Sequence, residues 1–150
     1  MKISKKAKGV YYLSQKCKKA DKNLLEFLLK ESNNENLNIS RCCLHNDEKS
    51  LLMSMLIIVR NYYVYPAHKH DWKDESYTII RGKCEFQEFD DKGILLSSTF
   101  LSESDTFLNN NKNFHLLKPL TNVFAFIENT IGPFKKINLN FFMNEKANKK

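Results

Sequence analysis

The chain predicts an all-β fold, a sandwich or barrel, with one helix near its N-terminus. Short apolar segments separated by turn signals recur from residue 37 onward. Residues 14–30 instead repeat their apolar side chains at three- and four-residue steps, the period of a helix. At 150 residues, with 42% apolar content and 11 Phe, the chain has the size and apolar supply of one cored domain. Four Gly and three Pro exclude collagen-like and low-complexity classes.

Residues 1–13 mix lysines with Val10, Tyr11, Tyr12 and Leu13 and read as a short strand. Cys17, Ala20, Leu24, Leu25 and Leu28 form the helical stripe, with Ser14 as its cap, and Ser32–Asn36 ends it in a loop. The strands expected after it are 37–44, 51–59, 62–69, 75–81, 83–89, 94–101, 105–108, 113–117, 123–128 and 137–142. Asp90–Gly93 is a hairpin loop with Gly where positive φ is required, and Asn109–Asn113 is a loop just before His115. This divides the chain into a lysine-rich helical segment packing on the rest (1–36), a β-domain (37–142) and a flexible tail (143–150).

The net charge of +7 is local: residues 1–30 carry nine Lys against Asp21 and Glu26, and the remainder is balanced. No aromatic or arginine-rich pattern accompanies these lysines, so they read as a solvated lead-in, with no nucleic-acid partner. The longest apolar stretch, Leu51–Val59, falls far short of the roughly 20 residues of a spanning helix. No apolar segment follows the N-terminal lysines as a secretion signal requires, so a cytoplasmic location is expected. The four Cys include no C-x-x-C pair and are expected to be reduced and structural, with Cys42 and Cys43 on opposite faces of a strand.

Chemistry concentrates in His68-Lys69-His70, Glu75 and Gly82, the pattern H-x-H-x4-E-x6-G. Two His one residue apart on a strand point the same way, and a carboxylate arriving after a short turn can close on the same point. His115 completes a three-His, one-carboxylate set, so three of the chain's four His share one constellation. The set suits a divalent transition metal, Fe, Zn, Mn or Ni, without choosing among them. His45 precedes the Asn46-Asp47 turn and reads as a surface or pocket-rim residue.

At these residues the chain resembles the cupins. Their first motif, G-x5-H-x-H-x3,4-E-x6-G, is matched by His68, His70, Glu75 and Gly82, with Tyr62 in place of the leading Gly. In the second motif His115 matches, while Asn110 and Lys112 replace the Pro and Gly before it and Pro119 stands at its terminal Asn. The resemblance implies a double-stranded β-helix, a jelly-roll barrel with the metal inside. The chain is similar, more closely, to the WbuC-type cupin-fold metalloproteins. Arg41–His45, Met55-Leu56, Pro66–His70, Lys73–Glu75, Asp90–Gly93 and Glu128–Phe134 carry that likeness, and the family's acidic, tryptophan-containing end is missing. It implies a role in surface polysaccharide (O-antigen) sugar metabolism, and the cupin resemblance implies a homodimer paired through outer sheets.

The expectation is a metal-binding enzyme on a small, carbohydrate-related substrate, an isomerase or epimerase. An iron-dependent dioxygenase and a non-catalytic sugar-binding sensor are the alternatives. Glu128, before Gly132-Pro133, is the expected general acid or base. Tyr77, two residues past Glu75, shares its face; it is expected to contact the pocket and is the second candidate catalytic residue. Arg41, Lys73 and Arg81 are candidates for holding an anionic group.

Overall fold

The computed structural model describes residues 1–16, 18–134 and 140–141. Cys17, the tail 143–150 and most of the strand expected at 137–142 lie outside the described residues. The elements are β1 (Ile3–Ala7), β2 (Val10–Leu13), α1 (Lys22–Asn34), β3 (Ile39–Cys43), β4 (Leu52–Arg60), β5 (His68–Lys69) and β6 (Glu75–Arg81). There follow β7 (Lys83–Phe89), β8 (Leu95–Ser102), β9 (Thr106–Asn109), β10 (Phe114–Pro119), β11 (Val123–Ile131) and β12 (Asn140–Phe141).

Among the described residues the strands form a seven-stranded sheet, β1-β2-β3-β4-β11-β6-β9, and a five-stranded sheet, β12-β5-β10-β7-β8. This is the expected all-β jelly roll, with one correction. Neither sheet closes on itself, so there is no closed barrel. The N-terminal hairpin extends the first sheet outward through a parallel pairing of β2 with β3, and β8 and β9 remain edges.

Each face of the larger sheet has its own core. Toward the second sheet, Ile57, Val59, Tyr77, Ile79, Phe124 and Phe126 meet Cys84, Phe86 and Leu101. On the outer face, Tyr11, Leu13, Cys42, Leu56, Ile58 and Ala125 are covered by Leu24 and Leu28 of α1. β4 is buried on both sides from Leu56 to Val59, which is why its sequence there is continuously apolar rather than alternating. Strands at the sandwich interior alternate: Glu75, Tyr77 and Ile79 of β6, and Cys84, Phe86 and Glu88 of β7, are buried while their neighbours are not. Each fully buried side chain of this size, such as Phe86 or Phe124, stabilises the fold by about 1.5–3 kcal/mol.

The helix starts later than its apolar stripe suggests. Asp21, not Ser14, is its cap, accepting a hydrogen bond from the Leu24 N–H at 3.1 Å. Ser14 is held by the β1–β2 hairpin, its N–H donating to the Lys2 carbonyl at 2.8 Å. The helix runs on through Asn34 because Ser32, four residues after Leu28, is also buried and donates its hydroxyl to the Leu37 carbonyl at 3.0 Å. Asn36, at φ 50°, then turns the chain. The strand expected at 62–69 shrinks to His68-Lys69, because Asn61 and Tyr62 both adopt positive φ and break the extended run. Cys42, Cys43 and Cys84 are buried free thiols; burial pushes Cys42 and Cys84 up to about 12 and raises Cys43. No helix among the described residues is long and apolar enough to cross a membrane.

Candidate metal centre

His68, His70 and Glu75 of the spacing pattern converge with His115 between the two sheets. His68 on β5 stands directly opposite His115 on β10. His70 follows at the end of β5, and the chain then crosses to the other sheet and enters β6 at Glu75. The four residues between His70 and Glu75 are thus the length of that crossing. One ligand atom from each of His68, His70, Glu75 and His115 lies within 4.8 Å of the others. His70, Glu75 and His115 are almost fully buried and His68 is half-buried, so His68 marks the open side.

The carboxylate organises the site. Glu75 Oε1 lies 3.1 Å from His70 Nε2 and 3.1 Å from Lys73 Nζ. Its Oε2 lies 3.0 Å from His115 Nε2 and accepts the Tyr77 hydroxyl at 2.7 Å. Burial acts to raise the Glu75 carboxyl, but the hydrogen bonds from His115 and His70 and the Lys73 charge outweigh it and hold the group well below the ordinary range.

The imidazoles are oriented from behind. His68 Nδ1 lies 3.2 Å from the Pro66 carbonyl and His115 Nδ1 lies 3.1 Å from the Asn113 carbonyl. A carbonyl only accepts, so each Nδ1 donates outward and each Nε2 faces the cluster, and the proton by which His115 Nε2 holds Glu75 would leave when a metal binds. Phe86 stacks on the His115 ring and Tyr65 meets His68 edge-on. Lys112 ties the two ligand-bearing loops, donating to Asp74 Oδ1 at 3.0 Å and to the Lys73 carbonyl at 3.1 Å. Three imidazoles and one carboxylate, buried and preoriented, fit a divalent transition metal by donor type.

The His68 imidazole is pushed down to about 4 by burial and then by the neighbouring His115. In the fold it stays neutral to near that pH, whereas the unfolded chain takes up a proton near the ordinary 6.5. The stability it contributes is therefore complete above pH 6.5 and is lost as pH falls toward 4. Glu128, raised to about 7, acts in the opposite sense over the same range, so the comparison between proteins isolates His68. Chelator-treated His68→Gln is expected to gain stability relative to chelator-treated wild type in urea as pH falls from 7 to 5. The same change in both proteins across that range would refute the assignment.

The other expected residues divide. Tyr77 is buried and joined to Glu75. Glu128 stands opposite Tyr77 and Met55, on the inner face that also carries Phe124 and Phe126. It is half-buried; burial, then repulsion from Glu75, raises its carboxyl to about 7, with the Lys73 and Arg41 charges opposing. Lys73 is on Glu75 itself. Arg41 is exposed on β3, on the strand face of Cys43, near enough for its charge to reach Glu128. Arg81 is not brought in: it is exposed at the far end of β6, six residues or about 20 Å of strand from Glu75.

Two polar residues escaped the sequence reading. Asn109, paired with Glu75 across β9 and β6, is buried, and its side chain hydrogen-bonds Tyr77. Glu88, opposite His115, is buried with Ser97 Oγ at 2.6 Å and Asn111 Nδ2 at 2.9 Å. Glu88 was legible from the alternation of Cys84 and Phe86, but Asn109 was hidden by its place in an asparagine run. His45 is not at a rim. It is buried against Tyr12, with Nδ1 bonded to the Ser54 backbone and its imidazole lowered by burial.

A family described as a domain of unknown function (DUF6016) matches residues 20–101. No curated protein matches the sequence. The structure is similar to KdgF from Halomonas sp., with TM-score 0.52 and 20% identity over 67% of this chain and 83% of that one. It is also similar to the Cnp3 cupin domain of Schizosaccharomyces pombe, with TM-score 0.52 and 13% identity over 62% and 60%. A third likeness is to Bacillus subtilis oxalate decarboxylase, a protein with Mn(II) centres, with TM-score 0.50 and 17% identity over 57% of this chain and 23% of that one. These likenesses show the fold: the chain is a cupin-type double-stranded β-helix.

Proposed function

This chain belongs to the DUF6016 family, and from its cupin fold and its His/Glu cluster we propose that it is a metal-dependent cupin enzyme. It would hold a divalent transition metal on His68, His70, Glu75 and His115 and move a proton on a small, anionic, sugar-related substrate. The observation that carries the reading is the convergence of those four ligands beside a carboxyl, Glu128, raised to about 7. A bound dication supplies Lewis-acid polarisation of a substrate oxygen. Glu128, able to take and return a proton near neutral pH, is the catalytic acid or base. Tyr77 holds Glu75 in place and lines the pocket. Lys73 and Arg41 attract the substrate's negative charge; Arg81, at the far end of its strand, is the weakest of the three anion-binding candidates.

The WbuC-type likeness of Arg41–His45, Pro66–His70 and Glu128–Phe134 supports a place in surface polysaccharide sugar metabolism. A cytoplasmic homodimer, with residues 1–36 packing on the 37–142 domain, belongs to the same reading. The test is solvent exchange. Metal-loaded protein incubated in heavy water with a panel of keto and aldo sugar acids and nucleotide sugars is expected to place deuterium beside a carbonyl. Glu128→Gln is expected to lower that rate at least about 100-fold while keeping its metal. Oxygen uptake without exchange would favour the dioxygenase reading. Tight binding with neither would favour the sensor.

A further inference from the structure

The five-stranded sheet ends on β8, which has no partner strand on its outer side among the described residues. Ile94, Leu95, Leu96 and Phe100 are 60%, 49%, 53% and 72% exposed. From Ile94 to Ser102 there is no charged residue, Pro or Gly, the usual means by which an edge discourages pairing. A bulge opposite Glu88 and Phe89 leaves Ser97–Leu101 in regular register with β7.

The edge also offers its hydrogen bonds. Ser102 directs its N–H to Asp105 Oδ2 at 2.8 Å and accepts the Asp105 N–H at 3.0 Å, so it does not bond β7. Antiparallel ladders alternate residue by residue. Ser98 and Phe100, of the same parity as Ser102, therefore direct their N–H and carbonyl groups away from β7, along the open edge.

We propose that β8 pairs antiparallel with β8 of a second copy about a two-fold axis at Ser98, joining the two five-stranded sheets. The sequence is self-complementary in that register. Phe100 lies beside the partner's Leu96 on one face. The paired stretch, Ile94 to Ser102, carries no charge, so no like charges meet along it. This names the surface of the homodimer proposed above and is independent of the metal and the substrate.

Sedimentation of wild-type protein at about 100 µM is expected to show a dimer, since a strand pair lies at the small end of stable interfaces. Ser98→Lys sets two ammonium groups face to face at the axis and is expected to weaken the dimer at least about tenfold, with metal content unchanged. Paired Cα atoms lie about 5.5 Å apart, within disulfide reach, so oxidised Ser98→Cys is expected to run as a covalent dimer where wild type does not. A wild-type monomer would overturn both the edge and the homodimer. A dimer that survives Ser98→Lys and gives no cross-link in Ser98→Cys would overturn the edge alone.

Discussion

His115→Ala protein is expected to retain less than about one-tenth of the metal carried by wild type, which should hold close to one ion per chain. His115 is nearly fully buried, faces Glu75 through Nε2, and is fixed through Nδ1 by the Asn113 carbonyl. Removing such a ligand costs more than removing a residue that merely orients one, which itself lowers affinity about 10–100-fold. The nearest replacement, Glu88, already accepts from Ser97 and Asn111 and cannot swing in without breaking both bonds. A second readout follows from linkage. Metal in 1,000-fold excess over its dissociation constant adds about 4 kcal/mol to wild-type stability, or roughly 10 °C in Tm at this chain length. The variant should lose most of that rise. His45→Ala is the control, because His45 is buried at the Ser54 backbone and takes no part in the cluster. Equal metal in wild type and His115→Ala would sink the assignment.

How much of this was legible in the sequence depends on the range of the interaction involved. Strands β6 and β7 could be read to the residue because alternation is local: Tyr77 follows Glu75, and Phe86 follows Cys84, on one face. The candidate site was legible for a related reason. The short crossing between sheets fixes the spacing from His70 to Glu75, and His115 follows a loop that returns beside β5. What failed depended on distant partners. The Ser14 cap was pre-empted by the β1–β2 hairpin, and the run 62–67 was turned at its start by the left-handed pair Asn61-Tyr62. Arg81 shares a strand with Glu75, but its distance along that strand removes it from the site. His45 looked like a turn residue because its burial comes from Tyr12, far back in the chain.

Gly82→Ala is expected to destabilise the fold by about 3–5 kcal/mol, a large share of the roughly 5–15 kcal/mol available to a domain. Gly82 is the single residue between β6 and β7, and these strands lie in different sheets, so it makes the corner alone. Its φ is 83°, and a Cβ there would strike the Thr121 hydroxyl and come within 2.6 Å of the Val123 carbonyl. Neither neighbour can yield cheaply. Thr121 Oγ1 accepts the Lys83 N–H and donates to the Val123 carbonyl, and Val123 opens β11, the strand between β4 and β6. The Gly82 N–H is itself held by Glu103 at 2.9 Å. Gly93→Ala separates strain from contact, since Gly93 has φ 79° but sits exposed in a hairpin loop. It is expected to cost only about 1 kcal/mol. Urea unfolding of the two variants side by side decides the matter. If Gly82→Ala unfolds with the same midpoint as Gly93→Ala, the corner is not sterically closed. The glycine of the H-x-H-x4-E-x6-G pattern would then need a reason other than the corner it makes at the far end of β6 from Glu75.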